Sequence, residues 1–413
     1  MTKPYVARIL DPLLDDVLSG LPSVLLVGPR ACGKTTTAAR RAKTVVRLDR
    51  EAEATAFAAD PDTALEQSPE PVLLDEWQTT PGVLGAVKRA VDQDPHPNRF
   101  LITGSVRAEL AAEGWPMTGR VIRVPMFGLT EREIEANLPA RPLLDRVAEE
   151  GVDAFAAPRG APNLAGYIER ALRGGFPESV LARRRSLATQ WLSSYVDQLT
   201  TRDAELADGS RDPQKLRRYL ETLCLNTAGV AGARTLYSAA GIASKTAAAY
   251  DRLLSDLVVI DETPAWWTNR IKRLLKGPKR YIVDPGVAAA VLRLDLRGVL
   301  ADGDLLGRLL DTFVMAQLRP EVPVAESKPR LHHLRTEEGR HEVDLLVEYG
   351  GVRVFGIEVK AAAGPGAEHA RHLVWLRELL VDRFIGGVVL HTGPRTYRLG
   401  DRLAAAPIAS LWC

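Results

Sequence analysis

Ser23-Val24-Leu25-Leu26-Val27-Gly28-Pro29-Arg30-Ala31-Cys32-Gly33-Lys34-Thr35 joins a short apolar strand pattern to an octet bracketed by glycine and closed by Lys-Thr. This is the spacing of a phosphate-binding loop. The chain curls so that successive backbone N–H groups face a β-phosphate, and a helix beginning near Thr35 adds the positive end of its dipole. Lys34 is expected to reach the β- and γ-phosphates and the Thr35 hydroxyl to hold Mg²⁺, while Gly28, Pro29, Arg30, Ala31, Cys32, Gly33 and Thr36 form the rest of the nucleotide-contacting turn. ATP and Mg²⁺ are therefore the expected cofactors. An ordinary glycine-rich turn has the same local composition, but the strand before it and the helical pattern from Thr36 to Lys43 supply the setting that phosphate binding requires.

Working outward, 413 residues suffice for two or three domains with separate cores. The 54 basic residues nearly balance the 52 acidic ones, so a nucleic-acid partner would be served by local patches and not by a global field. Cys32, Cys224 and Cys413 are odd in number, widely separated and without metal-ligand spacing, which points to a reducing, cytoplasmic compartment. No stretch approaches the ~20 apolar residues of a membrane span, and the N-terminus has no signal-peptide core.

Short apolar runs follow the loop at 44–49, 71–76, 100–103 and 121–124, separated by helical or loop stretches. That alternation predicts an α/β fold with a parallel sheet covered on both faces. The run ending in Asp75-Glu76 delivers two carboxylates to the carboxyl edge of the sheet, where phosphates lie. Asp75 is expected to act through the magnesium shell and Glu76 to polarise the attacking water. The next run ends Thr103-Gly104-Ser105, so Thr103 and Ser105 are equal candidates to hydrogen-bond the γ-phosphate or the water. Gly119-Arg120 opens the fifth strand, and Arg120 is a candidate to stabilise phosphoryl charge in cis or to reach into a neighbouring copy of a homo-oligomer.

These motifs, with Gly174-Gly175-Phe176-Pro177-Glu178 farther on, resemble in their order the AAA+-type prokaryotic ATPases that pair the ATPase with a C-terminal domain similar to the PD-(D/E)xK nuclease fold. The resemblance implies a P-loop AAA+-type parallel-sheet domain and a nuclease-like α/β C-terminal domain; together with the segment patterns, the expected division is an ATPase core at 1–135, a linker and helical lid at 136–205, a winged-helix-like domain at 206–285 and the nuclease-like domain at 286–413. Within the second segment, 139–163 reads as a loop or insertion. Leu187, Trp191, Tyr195 and Leu199 mark a helical core stripe, and Arg202 is a candidate nucleotide contact from the lid.

Residues 216–260 read as three helices with a turn at Gly241, followed by a strand at 258–261, the order of a winged helix. Its recognition helix, 244–257, carries Lys245 and Arg252 against Asp251 and Asp256. Arg270, Lys272, Arg273, Lys276, Lys279 and Arg280 follow Trp266-Trp267 with no acid between them, the pattern of a DNA-contacting wing with stacking aromatics or of a solvated basic loop.

In the C-terminal region, strand patterns at 341–349 and 352–360 flank Gly350-Gly351 and carry Asp344, Glu358 and Lys360, matching the Asp…Glu-x-Lys signature. Residues two apart share a strand face, so Glu358 and Lys360 point together while Ile357 and Val359 enter the core. The carboxylates are candidates to share a divalent metal, with Asp311 of an upstream helix at 305–318 where the family carries a glutamate. Register decides this: a two-residue turn pairs Asp344 with Ile357 and aims Glu358 away, so a three-residue turn or a bulge is required. The leading expectation is an ATP-hydrolysing protein acting on DNA, with a candidate metal-dependent nuclease site. The alternative is a nucleotide-controlled protein-interaction switch with an inactive nuclease-like scaffold.

Overall fold

The structure is a computed structural model that describes residues 4–104, 117–138, 141–201, 212–267, 277–336 and 340–413. Ser105, Arg202, Arg270, Lys272, Arg273 and Lys276 lie outside the described residues. The chain divides into two compact units, Met1–Leu129 with Asp256–Val258, and Thr130–Ser255 with Val259–Cys413. Among the described residues no helix is long and apolar enough to cross a membrane.

The first unit is a five-stranded parallel sheet. Its strands are β1 (Ser23–Val27), β2 (Thr44–Arg47), β3 (Val72–Asp75), β4 (Phe100–Thr103) and β5 (Ile122–Pro125), in the spatial order β2-β3-β4-β1-β5. β1, β3 and β4 are buried at every position, as near-continuous apolar runs demand when helices cover both faces. The helix Val83–Gln93 covers one face, burying Val83, Leu84, Ala86, Val87 and Val91. Because all pairings are parallel, the carboxyl ends of β1, β3 and β4 share one edge: Leu26 pairs with Thr103, and Thr103 with Asp75.

In the second unit, β6 (Ile260–Thr263) and β7 (Lys279–Ile282) form an antiparallel ribbon. Helices Pro213–Leu225, Ala233–Ala239 and Ser244–Asp256 precede it. The strand expected at 258–261 starts two residues later, at Ile260. A six-stranded mixed sheet follows: β8 (Arg330–Arg335), β9 (Glu342–Tyr349), β10 (Arg353–Lys360), β11 (Phe384–His391), β12 (Tyr397–Gly400) and β13 (Leu403–Pro407), ordered β12-β13-β11-β10-β9-β8.

Of the stretch 139–163 expected as a loop or insertion, 155–163 carries no helix or strand but 143–154 is helical and largely buried. Leu143–Glu150 is a helix, Gly151–Ala154 a 3₁₀ turn, and Leu143, Leu144, Val147, Val152 and Phe155 join one core with Leu310, Phe313, Leu345, Val347 and Ile357. In the helix Arg185–Thr200 the buried face is Ala188, Leu192, Val196 and Leu199. Leu187 is exposed, and Trp191 and Tyr195 are half-buried, stacked on each other and tilted against Phe176.

Gly174 and Gly175 are explained by one buried carboxylate. Asp284 Oδ2 accepts the Gly175 N–H at 2.7 Å, and its Oδ1 accepts those of Gly286 at 2.8 Å and Val287 at 3.2 Å, capping the helix Pro285–Leu292. A Cβ on Gly174, which has φ +67°, would come within 2.2 Å of Oδ1. Asp284→Ala is expected to orphan three buried donors and destabilise this unit by about 3 kcal/mol, read as a lowered urea midpoint; an unmoved midpoint shows the donors are met otherwise. Burial pushes Asp284 up to about 6, against the pull of its three N–H partners. The folded state therefore holds that proton more tightly than the unfolded chain, so this group's contribution to stability declines as pH rises from about 4 to 6.

Candidate functional site

Backbone approach dictates the glycines of the loop after β1. A Cβ on Gly28 would lie 1.9 Å from the Met126 carbonyl oxygen, and Gly33 takes φ 103° as the residue before the helix Lys34–Ala39. Lys34 is buried, and its ammonium donates to the Gly28 and Pro29 carbonyls at 2.9 and 2.8 Å, so the side chain arches back over the loop. Arg8, which the sequence pattern did not single out, braces the same loop. Its guanidinium donates to the Cys32 carbonyl at 3.1 Å and to those of Phe127 and Gly128 at 2.6 and 3.2 Å.

Asp75 gathers the neighbouring groups. Its Oδ1 accepts from the Thr35 hydroxyl at 2.7 Å and from the Thr103 hydroxyl at 2.5 Å, with both Asp75 and Thr103 buried. Thr103 is thus placed to orient Asp75, while Thr35 and Asp75 bring two hard oxygens together. They fit Mg²⁺, which takes few protein ligands and completes its octahedron with water and substrate phosphates. When bound there, the ion neutralises charge on the β- and γ-phosphate oxygens.

Glu76 departs from the strand at φ 55°, ψ 45°, a left-handed conformation that costs a non-glycine residue about 1 kcal/mol. Its carboxylate accepts from Gln78 Nε2. A Cβ on Gly104 would meet Gln78 Oε1 at 2.4 Å and the Trp77 ring at 2.7 Å, so that glycine admits the turn carrying Glu76 against the end of β4. Gln78 is a positioning residue whose only sequence signal is its place two residues after Glu76.

Arg120 is not part of this cluster. Ser23, at the first residue of β1, donates to the Arg120 carbonyl, so Arg120 sits at the amino edge of the sheet, about one five-residue strand or ~16 Å from the loop. Its guanidinium is engaged by Asp92, at 2.5 Å from Nε. A role on the phosphates of its own chain is excluded by that placement.

A second cluster forms where the start of β9 meets the end of β10. Arg353 pairs with Tyr349 and Ile357 with Leu345, so the connection is the required three-residue turn, and the register brings Asp344 level with Glu358. Asp344 Oδ2 accepts the Val359 N–H at 2.9 Å. Lys360 Nζ lies 2.7 Å from Glu358 Oε2 and 3.8 Å from Asp344 Oδ2, and Ile357 and Val359 enter the core as expected. Asp311, on the helix Gly303–Leu318, joins them along a cleft of about 600 Å³.

Lys279 overturns the reading of this cluster as a metal site and of its own residue as a DNA contact. It is 2% exposed, and its ammonium sits 2.5 Å from Asp311 Oδ2, 3.7 Å from Asp344 Oδ1 and 3.2 Å from the Asp344 carbonyl. Tyr281 donates to the other oxygen of Asp311 at 3.1 Å. Burial and then the Asp344 charge push Glu358 up to about 8, against the pull of the Lys360 ammonium. Burial opposes charge on Asp344 too, but Lys279 and Lys360 outweigh it and hold that carboxyl below its ordinary range. The cation position between Asp311 and Asp344 is filled by Lys279 Nζ. These residues do not fit a divalent cation. Among the described residues no group of His, Cys, Asp and Glu is arranged to hold one.

The rest of the expected wing also changes. Arg280 pairs with Glu262 at 2.9 Å, directly across the β6–β7 ribbon. Trp266 is 1% exposed and donates to Glu348 Oε1 at 3.0 Å within a core beside the helix Arg371–Leu380, so it offers no stacking face.

Three family models match the chain: an AAA domain at residues 21–135, a domain of unknown function (DUF8612) at 164–297 and a domain of unknown function (DUF4143) at 306–411. Two curated relatives, the uncharacterized proteins Mb2031c of Mycobacterium bovis and Rv2008c of Mycobacterium tuberculosis, are each 30% identical over 396 residues, covering 94% of this chain and 80% of their own. Among solved structures, the Walker-type ATPase PABY2304 of Pyrococcus abyssi aligns with 71% of this chain and 99% of its own at 16% identity and a TM-score of 0.43.

Proposed function

The chain belongs to the family of the mycobacterial proteins Rv2008c and Mb2031c and carries an AAA domain at residues 21–135; on that premise we propose that it hydrolyses ATP with Mg²⁺ and that hydrolysis drives work on DNA. The carrying observation is the convergence of Thr35 and Thr103 on Asp75 beside the phosphate loop, with Glu76 turned out of the strand next to it. Lys34 and the loop N–H groups bind the phosphates, Thr35 and Asp75 orient the ion, Thr103 fixes Asp75, and Glu76, steered by Gln78, polarises the water. A copy that supplies an arginine to its neighbour belongs to the same proposal, and a mass increase in ATP is its measure.

DNA as the target is supported by the helices at 213–256 and the ribbon of β6 and β7, which follow the winged-helix order. Asp251, which opposes Lys245 and Arg252 in the sequence, accepts from Tyr219 at 2.8 Å, and both cations are exposed and make no ion pair among the described residues. ATP turnover is expected to rise at least severalfold with single-stranded or duplex DNA. An unchanged rate across single-stranded, duplex and branched DNA favours the protein-interaction switch instead.

The C-terminal cluster supports the inactive-scaffold reading of that domain, because Lys279 fills the cation position. No nicking is expected with Mg²⁺ or Mn²⁺. Metal-dependent nicking that survives Lys34→Ala and vanishes in Lys360→Ala sinks this part of the proposal.

A further inference from the structure

We infer that the DUF8612 region holds a binding cleft for the phosphodiester chain of single-stranded nucleic acid, an inference that rests on the DNA reading above and assigns it a surface. Helices Leu164–Arg173, Arg185–Thr200 and Pro285–Leu292 enclose a cleft of about 840 Å³, within the residues matched by that domain. Its volume falls in the range of sites that engulf small ligands, about 300–1,000 Å³, and admits a few linked nucleotides but not a duplex.

Six arginines line it: Arg170, Arg173, Arg184, Arg185, Arg293 and Arg297. Their partners sort them. Arg170 and Arg173 are held by Glu131, and Arg170 also by Glu135. Arg185 is neutralised by Glu169 at 2.7 Å. The remaining lining carboxylate, Asp295, is spent on capping the helix Leu296–Ala301 through the Gly298 N–H. Arg184, Arg293 and Arg297 are left exposed, and their side chains make no hydrogen bond or ion pair among the described residues.

Arg293 adds an independent sign. It ends the helix Pro285–Leu292 at φ 55°, ψ 42°, the left-handed position that glycine fills at least cost, where arginine forfeits about 1 kcal/mol. An uncompensated cation is thus kept at a strained position on the cleft wall. Among the described residues no aromatic ring lines the cleft. Recognition is therefore of phosphates and not of bases, which predicts binding insensitive to sequence and steeply sensitive to salt.

The test uses the full chain and a labelled oligothymidine, followed by fluorescence anisotropy across a salt series, with Arg184, Arg293 and Arg297 all replaced by alanine. These exposed side chains lie outside the ATP cluster, so basal ATP turnover and melting serve as folding controls. The triple variant is expected to bind about tenfold or more weakly at physiological salt, with a salt slope shallower by about 2. Equal affinity and slope overturn the cleft while leaving DNA-driven hydrolysis intact, as does wild-type protein that binds no oligothymidine. Displacement by equimolar inorganic tripolyphosphate marks a small polyphosphate as the ligand and overturns the nucleic-acid assignment. Cleft binding without any DNA effect on ATP turnover removes the DNA-driven reading and leaves the cleft standing.

Discussion

Lys34→Ala is expected to lower ATP turnover at least about a hundredfold, a loss of roughly 3 kcal/mol of transition-state stabilisation. The ammonium lies within the loop it serves, 2.9 and 2.8 Å from the Gly28 and Pro29 carbonyls. A loss of folding would mimic this result, so Glu76→Gln is the companion. It leaves Lys34, Thr35 and Asp75 in place and is expected to keep nucleotide affinity while turnover falls by a comparable factor. Turnover of Lys34→Ala within threefold of wild type would end the assignment of this loop as the hydrolytic site.

How much of that site could be read in the sequence follows from how local each signal is. The loop octet, the carboxylate at the end of β3 and the hydroxyl at the end of β4 sit at the tips of apolar runs. In a parallel sheet those tips must share an edge, so their convergence followed from fold class alone. The cis role of Arg120 failed by the same geometry, since it precedes its strand and every strand start lies at the opposite edge. Arg8 and Gln78 carried no motif, because Arg8 acts through three carbonyls and Gln78 through one carboxylate that only the folded chain brings near.

The C-terminal half divides differently. A parity argument made a three-residue turn or a bulge the condition for Asp344 and Glu358 to share a face, and the register has the three-residue turn. Leu143–Glu150 escaped notice because an eight-residue helix between prolines shows scarcely two turns of periodicity, while its burial is supplied by strands some 200 positions away. Lys279 was grouped with a basic run by proximity, although the alternation in Lys279-Arg280-Tyr281 held the correction. In a strand Lys279 shares a face with Tyr281, which is fully buried, so Lys279 had to point inward and find carboxylates.

Replacing that lysine is the sharper probe of the C-terminal cluster. Lys279→Met keeps the aliphatic volume but removes the charge, leaving Asp311 buried with the Tyr281 hydroxyl and no cation beside it among the described residues, and Asp344 with Lys360 and the Val359 N–H. Breaking a buried pair on one side costs about 3–5 kcal/mol, far more than the pair itself contributes over an apolar substitute. The penalty should depend on pH in a definite direction. Burial already pushes Asp311 up to about 6 with Lys279 beside it, so without that ammonium its pKa rises further and protonation relieves the defect. The stability gap between wild type and variant is therefore expected to narrow as pH falls from 8 toward 5. Vacating the cation position also gives Mn²⁺ a place between Asp311 and Asp344, so in the absence of nucleotide Mn²⁺ should raise the melting temperature of the variant and leave wild type unmoved. Equal stabilisation of both by Mn²⁺ would show that the lysine and a divalent ion do not compete for one position, and the resident-cation account of this domain would fall with it.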